Sequence, residues 1–285
     1  MDIVDEIDRD MVERSSTADV RIQDGTYLLE LSLDWIVLRA SENVDDFLGE
    51  SHVTLIEEPL GKFVHAQALH DLRNLFSRLS GTTGIGRAYA VRLTDDPELV
   101  DIAFQVIDGR VLLEAVDSVA SFGEAFGSVG GLIAGLATSS GQALLDGGAR
   151  RMRALTGYDR VTLSCGDRRA ESSRGAFGGA VDPADLPVLV ADTDAAGINL
   201  FPREADDTSA HAALLRAPEE ADRHELNGKA IRSMLRIPFS ADGLSCEFCC
   251  ESRTPREPSF ELHAAAELFA QMFAMRLTID KAANP

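Results

Sequence analysis

The chain has 285 residues, of which 45% are apolar and 26% are charged, and its formal net charge at pH 7 is −20. This length and composition predict about two globular domains and exclude a disordered, collagen-like or coiled-coil protein. Because nucleic acids and anionic membranes are also negatively charged, the acidic excess argues against both as partners.

The first half of the chain predicts one small α+β domain after an acidic arm. Residues 1–24 are polar and acidic and form this arm. Residues 25–117 contain two β-rich runs, a helical repeat over 59–79 and three further strand patterns, of which the last two are joined by a tight turn at Asp108-Gly109. This order predicts an antiparallel sheet with helices packed against it.

The second half, residues 118–285, predicts another α+β domain. It begins with two helical segments over 118–156. A short helix is predicted near 209–216, and a β-hairpin over 234–250. The last helix runs from about 260 to 279 and carries an apolar stripe at helical spacing. The stripe consists of Leu262, Ala266, Phe269, Met272, Phe273 and Leu277.

The chain has four cysteines, Cys165, Cys246, Cys249 and Cys250. Three of them lie within five residues, which is a poor spacing for disulfides, so we expect reduced thiols. On a strand, Cys246 and Cys250 point to one face and Cys249 to the other, which fits buried structural thiols better than a tetrahedral zinc site. A metal or redox role is the alternative. Reduced thiols, and an N-terminus without the basic start of a signal peptide, predict a cytoplasmic protein.

The sequence lacks the common signatures of enzymes and membrane proteins. It has no Gly-x-x-x-x-Gly-Lys phosphate loop, no Gly-x-Gly-x-x-Gly motif after a strand and no Gly-x-Ser-x-Gly nucleophile motif. His224-Glu225 is not followed by the second histidine that a zinc protease requires. No apolar run reaches the roughly 18–20 residues of a membrane span. We therefore expect neither an enzyme nor a membrane protein.

Several short motifs resemble bacterial phytochromes and occur in the order found in that family. The first is Ile22-Gln23-Asp24-Gly25 followed by Tyr27-Leu28-Leu29, which is similar to the opening Ile-Gln-Pro-His-Gly-x-Leu-Leu. The others are Ser41-x-Asn43 through Leu48-Gly49, Leu155-Thr156-Gly157-Tyr158-Asp159-Arg160-Val161, Leu215-Arg216-Ala217 and Ser233-Met234-Leu235. The resemblance covers the whole chain and implies a divergent PAS–GAF module. The PAS domain would span 25–117 and the GAF domain 118–285, each an antiparallel sheet flanked by helices, without the third domain and output module of phytochromes.

The resemblance also implies a bilin pocket in the GAF domain. Its candidate residues are Asp185, Pro187, Arg216, Asp222 and His224. The stretch that ends Asp185-Leu186-Pro187 is similar to the family's Pro-x-Ser-Asp-Ile-Pro, whose aspartate carbonyl lies beside the pyrrole nitrogens. Arg216 matches a propionate-binding arginine. Asp222 replaces a pocket histidine, for which His224 could substitute if the helix shifts.

Other positions depart from the family's pattern. Residues 1–24 contain no cysteine, so the family's thioether to biliverdin cannot form there. The helix expected after Pro187 is missing, which removes much of a pocket wall. Ser164 replaces a tyrosine of the first GAF strand, and Glu251 replaces a histidine of the final hairpin strand. Because a carboxylate would repel a bilin carbonyl, we expect Glu251 to point outward or to pair with an arginine.

These observations predict a stand-alone, phytochrome-like PAS–GAF signalling protein that has lost covalent bilin attachment and needs no cofactor. It would act by binding an unidentified signalling protein and a second copy of itself. The helices over 118–137 and 262–277, which flank the GAF domain, would supply the homodimer interface. One alternative is a photoreceptor that binds biliverdin non-covalently or through Cys249 or Cys250. The second alternative is a thiol-based metal or haem sensor.

Overall fold

The computed structural model describes residues 20–79, 84–118, 123–179, 186–203 and 209–283. Its strands are β1 (Arg21–Gln23), β2 (Tyr27–Ser32), β3 (Val37–Ser41), β4 (Gly86–Val91), β5 (Val100–Ile107), β6 (Arg110–Asp117), β7 (Arg160–Cys165), β8 (Arg168–Ser173), β9 (Leu189–Val190), β10 (Gly197–Phe201), β11 (Ser233–Ala241) and β12 (Leu244–Ser252). Its α-helices are α1 (Val44–Leu48), α2 (His52–Leu55), α3 (Ala66–Leu79), α4 (Glu124–Ala134), α5 (Gly141–Thr156), α6 (Glu220–Gly228) and α7 (Phe260–Ala283).

The first sheet contains seven strands in the order β1-β10-β3-β2-β6-β5-β4, and all neighbouring strands are antiparallel. The turn at Asp108-Gly109 joins β5 and β6. Both turn residues have positive φ angles, 49° and 75°, as the common two-residue hairpin turn requires. Helix α3 packs Ala68 and Leu72 into the core of this sheet. The predicted order of two strands, helices and three strands is confirmed.

The helix predicted over 59–79 begins later than its apolar repeat indicates. Residues 60–62 form a 3₁₀ turn, and α3 starts only at Ala66. The backbone N–H of Leu60 donates to the carbonyl of Trp35 at 3.0 Å, which draws this segment towards the strands. A long-range contact therefore overrides the local helical preference.

Two strands of the first sheet come from outside residues 25–117. Strand β10 belongs to the second half of the chain, and β1 belongs to the segment predicted as an arm. The N–H of Gln23 donates to the carbonyl of Leu215 at 3.0 Å, and the N–H of Ala217 donates to the carbonyl of Arg21 at 2.7 Å. Residues 21–23 are thus part of the fold rather than of an arm, and 1–19 lie outside the described residues.

The second sheet has the order β8-β7-β12-β11-β9 and is also antiparallel. One face of this sheet packs against α5 and α7, and α4 packs against these two helices. Together they form the larger apolar core. Phe248 from β12 meets Phe269 and Phe273 from α7, with ring centroids 5.9 and 5.4 Å apart. Gly148 on α5 permits this approach, because a Cβ there would lie 2.5 Å from the Phe273 ring.

The part of the chain from β8 to the start of β11 differs most from the prediction. The sequence pattern predicts a helix over 209–216, but only a 3₁₀ turn at Ala210–Ala212 forms. Strands β8 and β10 were not predicted, because β8 is polar apart from Ala170 and β10 lies in a stretch rich in Gly, Ser and Pro. Within the described ranges, none of the helices combines the length and the apolar character needed to cross a membrane.

Candidate ligand-binding site

Arg216 and His224, two of the predicted site residues, line one cleft of about 700 Å³. The same cleft is lined by Arg21 of β1, Arg223 of α6 and His211. Arg216 is held there by an antiparallel bridge to Ile22, and its carbonyl accepts from the amide of Gln23 at 3.2 Å. We call the space between Arg21, His211, Arg216, Arg223 and His224 the cleft.

The cleft gathers basic side chains on an otherwise acidic chain, and Glu219 and Glu220 add two carboxylates to its lining. Arg223 is also tied into the protein, since its Nε donates to the carbonyl of Thr193 at 2.8 Å. No sequence signal pointed to Arg21, His211 or Arg223, because the cleft joins β1 to segments that lie far along the chain. Side chains of this kind can hold carboxylate or phosphate groups.

The remaining predicted site residues do not all reach the cleft. Asp222 lies on α6 beside it and is half-buried, and this burial, followed by the charge of Glu219, raises the pKa of its carboxyl group. Arg216 acts in the opposite direction on that pKa. Pro187 is buried beside β9 and is not part of the described cleft lining. Asp185 lies outside the described residues.

A second region of interest is the face of the second sheet that points away from α5 and α7. We call it the outer face, and it carries Arg160, Met234, Cys249 and Glu251. Arg160 and Glu251 lie opposite each other on β7 and β12 and form a buried ion pair. Of the two expected outcomes for Glu251, solvent exposure or a pair with an arginine, the structure shows the pair. The residue is only 2% exposed, so its carboxylate does not reach solvent.

Arg160 has further partners on the outer face. Its Nη1 donates to the carbonyl of Gly178 at 2.9 Å, and its guanidinium lies over the ring of Phe177 at 4.5 Å. An apolar cluster fills the space beside this pair. Its members are Phe177, Leu186, Val190, Leu226, Ile231, Met234 and Cys249. Side chains of the protein itself thus pack against this face.

The cysteines depart from the expected set of four reduced thiols. Cys165 and Cys246 lie directly opposite each other on paired strands and form a disulfide, with 4.1 Å between their Cα atoms. That prediction was wrong because sequence spacing does not reveal strand register. Cys249 and Cys250 are free and face opposite sides of the sheet, as predicted. Within the described part of the chain, no three potential ligand side chains gather to hold a metal.

The disulfide predicts a measurable dependence of stability on reductant. It joins residues 81 apart, and the chain-entropy account gives such a crosslink about 4 kcal/mol of stabilisation. Reduction is therefore expected to lower the urea midpoint of the wild type and to leave a Cys165→Ala/Cys246→Ala variant unchanged. Titration of four thiols in protein unfolded without reductant would contradict this assignment.

The chromophore-binding domain of Stigmatella aurantiaca phytochrome P1 superposes with a TM-score of 0.75, covering 92% of this chain and 98% of that one, at 20% identity. The chain has the fold of a phytochrome chromophore-binding domain. The chromophore-binding domain of an unusual bacteriophytochrome from R. palustris is similar too, with a TM-score of 0.71 over 93% of this chain and 96% of that chain, at 21% identity.

The phytochrome fold also appears within a longer relative. The chain matches 59% of the S. aurantiaca phytochrome photosensory core module, with a TM-score of 0.76 and 21% identity over 93% of its own length. No protein-family model and no curated protein matches the sequence. The PAS–GAF architecture implied by the sequence motifs is thus confirmed at the level of fold.

Proposed function

We propose that the chain is a phytochrome-like regulatory module that carries no covalently attached bilin and acts through contacts with other proteins. The observation that carries this proposal is the occupied outer face. There the Arg160–Glu251 pair and the cluster around Phe177 and Met234 fill the space beside the sheet. A bulky tetrapyrrole would have to displace these side chains and leave the two charges without partners.

The free thiols also argue against covalent attachment in the second half of the chain. Burial raises the pKa of both Cys249 and Cys250 well above the usual thiol range. Because the thiolate is the nucleophile, a buried thiol of high pKa reacts slowly. Two of the four sulfurs are already joined in the disulfide, which leaves little support for a thiol-based metal or haem sensor.

A second copy of the chain is the first partner that we propose. The predicted stripe is not the free surface of α7, because Ala266, Phe269, Phe273 and Leu277 pack into the core. A different face carries the exposed apolar residues. These are Leu268, Met275 and Ile279, with the half-buried Met272 between them. Their spacing of four, three and four residues is typical of a helix that pairs with another helix.

Sedimentation equilibrium tests this dimer. We expect the wild type to associate at micromolar concentration and the Met275→Glu/Ile279→Glu variant to remain a monomer of 30.7 kDa, because both positions are more than 60% exposed. The matched control is Leu33→Glu/Val53→Glu, which adds the same charge at exposed apolar sites of the first half. A wild type that sediments only as a monomer removes this part of the proposal.

A non-covalent biliverdin photoreceptor is the second candidate, and the cleft favours it. Arg216 and His224 lie there together with Arg21 and Arg223, so the two propionates of a bilin would find basic partners. The carboxylates of Glu219 and Glu220 line the same cleft and oppose this binding. The purified chain is titrated with biliverdin, and absorption is recorded. Our proposal expects no far-red band and no zinc-dependent fluorescence after denaturing electrophoresis. A saturable far-red band that is lost in Arg216→Ala would favour the photoreceptor instead.

A further inference from the structure

The methionines in the described part of the chain differ widely in their access to solvent. Met152 is buried in the larger apolar core, and Met234 is buried in the cluster on the outer face. Met275 on α7 is 68% exposed, and Met272, one turn earlier on the same helix, is half-buried. Among the described methionines, those that an oxidant in solution can reach therefore lie together on α7.

The four cysteines are poor targets for an oxidant. Cys165 and Cys246 are already oxidised, because they form the disulfide. Burial raises the pKa of both Cys249 and Cys250 above the usual thiol range. Since the thiolate is the form that reacts with peroxide, these two thiols react slowly. A methionine thioether has no proton to lose, so its exposure decides how readily it reacts.

Met275 lies in the middle of the exposed apolar face of α7, on which we propose that two copies of the chain pair. Leu268 and Ile279 lie on either side of it and are 39% and 61% exposed. Charged side chains beside this face are bound elsewhere: Glu267 pairs with an arginine of β4 at 2.8 Å, and Arg276 donates to a carbonyl between α4 and α5 at 2.5 Å. The face thus has an apolar centre, and Met275 is its most exposed apolar side chain.

Oxidation of a thioether would make this centre polar. A lone pair of the methionine Sδ attacks one oxygen of hydrogen peroxide, the O–O bond breaks, and the other oxygen leaves as water. The sulfur loses two electrons to the peroxide and keeps the first oxygen as a sulfoxide. Because the sulfoxide oxygen is a polar hydrogen-bond acceptor, burying it against an apolar face costs free energy. Two thiols of a sulfoxide reductase reverse the step and release water and a disulfide.

We propose that Met275, together with Met272, is a reversible oxidation site, and that its sulfoxide separates the two copies of the chain. Met275 is covered in the dimer and accessible in the monomer, so pairing and oxidation compete for the same side chain. Dimerisation therefore protects the sulfur, and oxidation traps the monomer. This inference rests on the proposed dimer and names a way in which that dimer is regulated.

Sedimentation equilibrium before and after treatment with hydrogen peroxide tests the inference on the full chain. Mass spectrometry is expected to place the added oxygen first at Met275 and to find Met152 and Met234 unmodified. Because each dimer would bury the sulfoxides of two chains, the oxidised wild type should dimerise at least about tenfold more weakly. Methionine sulfoxide reductases A and B should restore the original Kd.

The matched control is Met272→Leu/Met275→Leu, which nearly keeps the side-chain volume but cannot be oxidised at these positions. It should dimerise like the untreated wild type and keep its Kd after peroxide treatment. Met1 and Met11 lie outside the described residues and are present in both proteins, so their oxidation cannot explain a difference between them.

The outcomes separate this inference from the proposed dimer. A dimer that survives sulfoxide formation at Met275, equal weakening in the control variant, or a Met275 that peroxide leaves unmodified overturns the inference and leaves the dimer standing. A wild type that is monomeric before oxidation rejects the dimer, and this inference with it.

Discussion

Replacing Glu251 with alanine is expected to lower the free energy of unfolding by about 3–5 kcal/mol, as measured by urea denaturation. The main cause is the unpaired charge of Arg160, which stays buried on the neighbouring strand when the carboxylate is removed. The guanidinium then keeps only neutral partners, such as the carbonyl of Gly178. Because a buried guanidinium without a counter-charge is costly, the folded state is destabilised by more than the value of a single hydrogen bond.

Two further variants separate this explanation from a simple packing defect. Glu247→Ala removes a carboxylate of the same strand and face, but its pair with Arg236 is more exposed, so we expect a decrease of about 1 kcal/mol or less. Arg160→Met/Glu251→Leu replaces both buried charges with apolar groups. Such replacements are often neutral or stabilising, so the double variant should be more stable than Glu251→Ala. Equal destabilisation of the double and single variants would contradict the uncompensated charge as the cause.

The Arg160–Glu251 pair was predictable from the sequence only in part. From the sequence, Glu251 was expected either to point outward or to pair with an arginine, and the second outcome holds. The identity of that arginine was not predictable, because Arg160 lies 91 residues earlier and only the register of β7 with β12 brings it opposite. The same register places Cys165 opposite Cys246, which a count of cysteine spacings could not reveal.

The fold was predictable where the evidence was local or followed a known order of motifs. The β5–β6 hairpin follows from Asp108-Gly109, and the PAS–GAF order follows from the short motifs along the chain. The insertion of β10 into the first sheet was not predictable, because it depends on a contact between two distant segments. On α7, apolar residues occur on several faces. Periodicity alone therefore did not show that the core, rather than a second copy of the chain, covers the predicted stripe.

The contribution of Glu114 to the free energy of unfolding is expected to be large and to depend on pH. This carboxyl on β6 is 1% exposed and accepts hydrogen bonds from the backbone N–H groups of Leu214 and Leu215 at 2.9 and 2.8 Å. Burial raises its pKa from 4.5 to about 7, although the two N–H donors act in the opposite direction. Since Leu215 directly precedes Arg216, the same carboxyl also holds the backbone that leads into the cleft.

The sign of the pH effect follows from proton linkage. Because folded Glu114 holds its proton more tightly than the unfolded chain does, its contribution to stability falls as the pH rises from about 4.5 to about 7. The pKa difference corresponds to about 3 kcal/mol. A Glu114→Gln variant cannot titrate, and its amide adds a cost that does not vary with pH. The stability of the wild type relative to this variant should therefore decrease by about 3 kcal/mol between about pH 4 and about pH 8.

Urea denaturation at a series of pH values measures this difference, with the other acidic groups cancelling between the two proteins. If the two stability curves run parallel, Glu114 ionises in the folded protein as readily as in the unfolded chain, and the burial argument is wrong. If the wild type declines relative to the variant with rising pH, the link between the two halves of the chain weakens as Glu114 ionises. Slower hydrogen exchange at 214–216 in mildly acidic than in neutral solution, after correction for intrinsic rates, would locate that change beside the cleft.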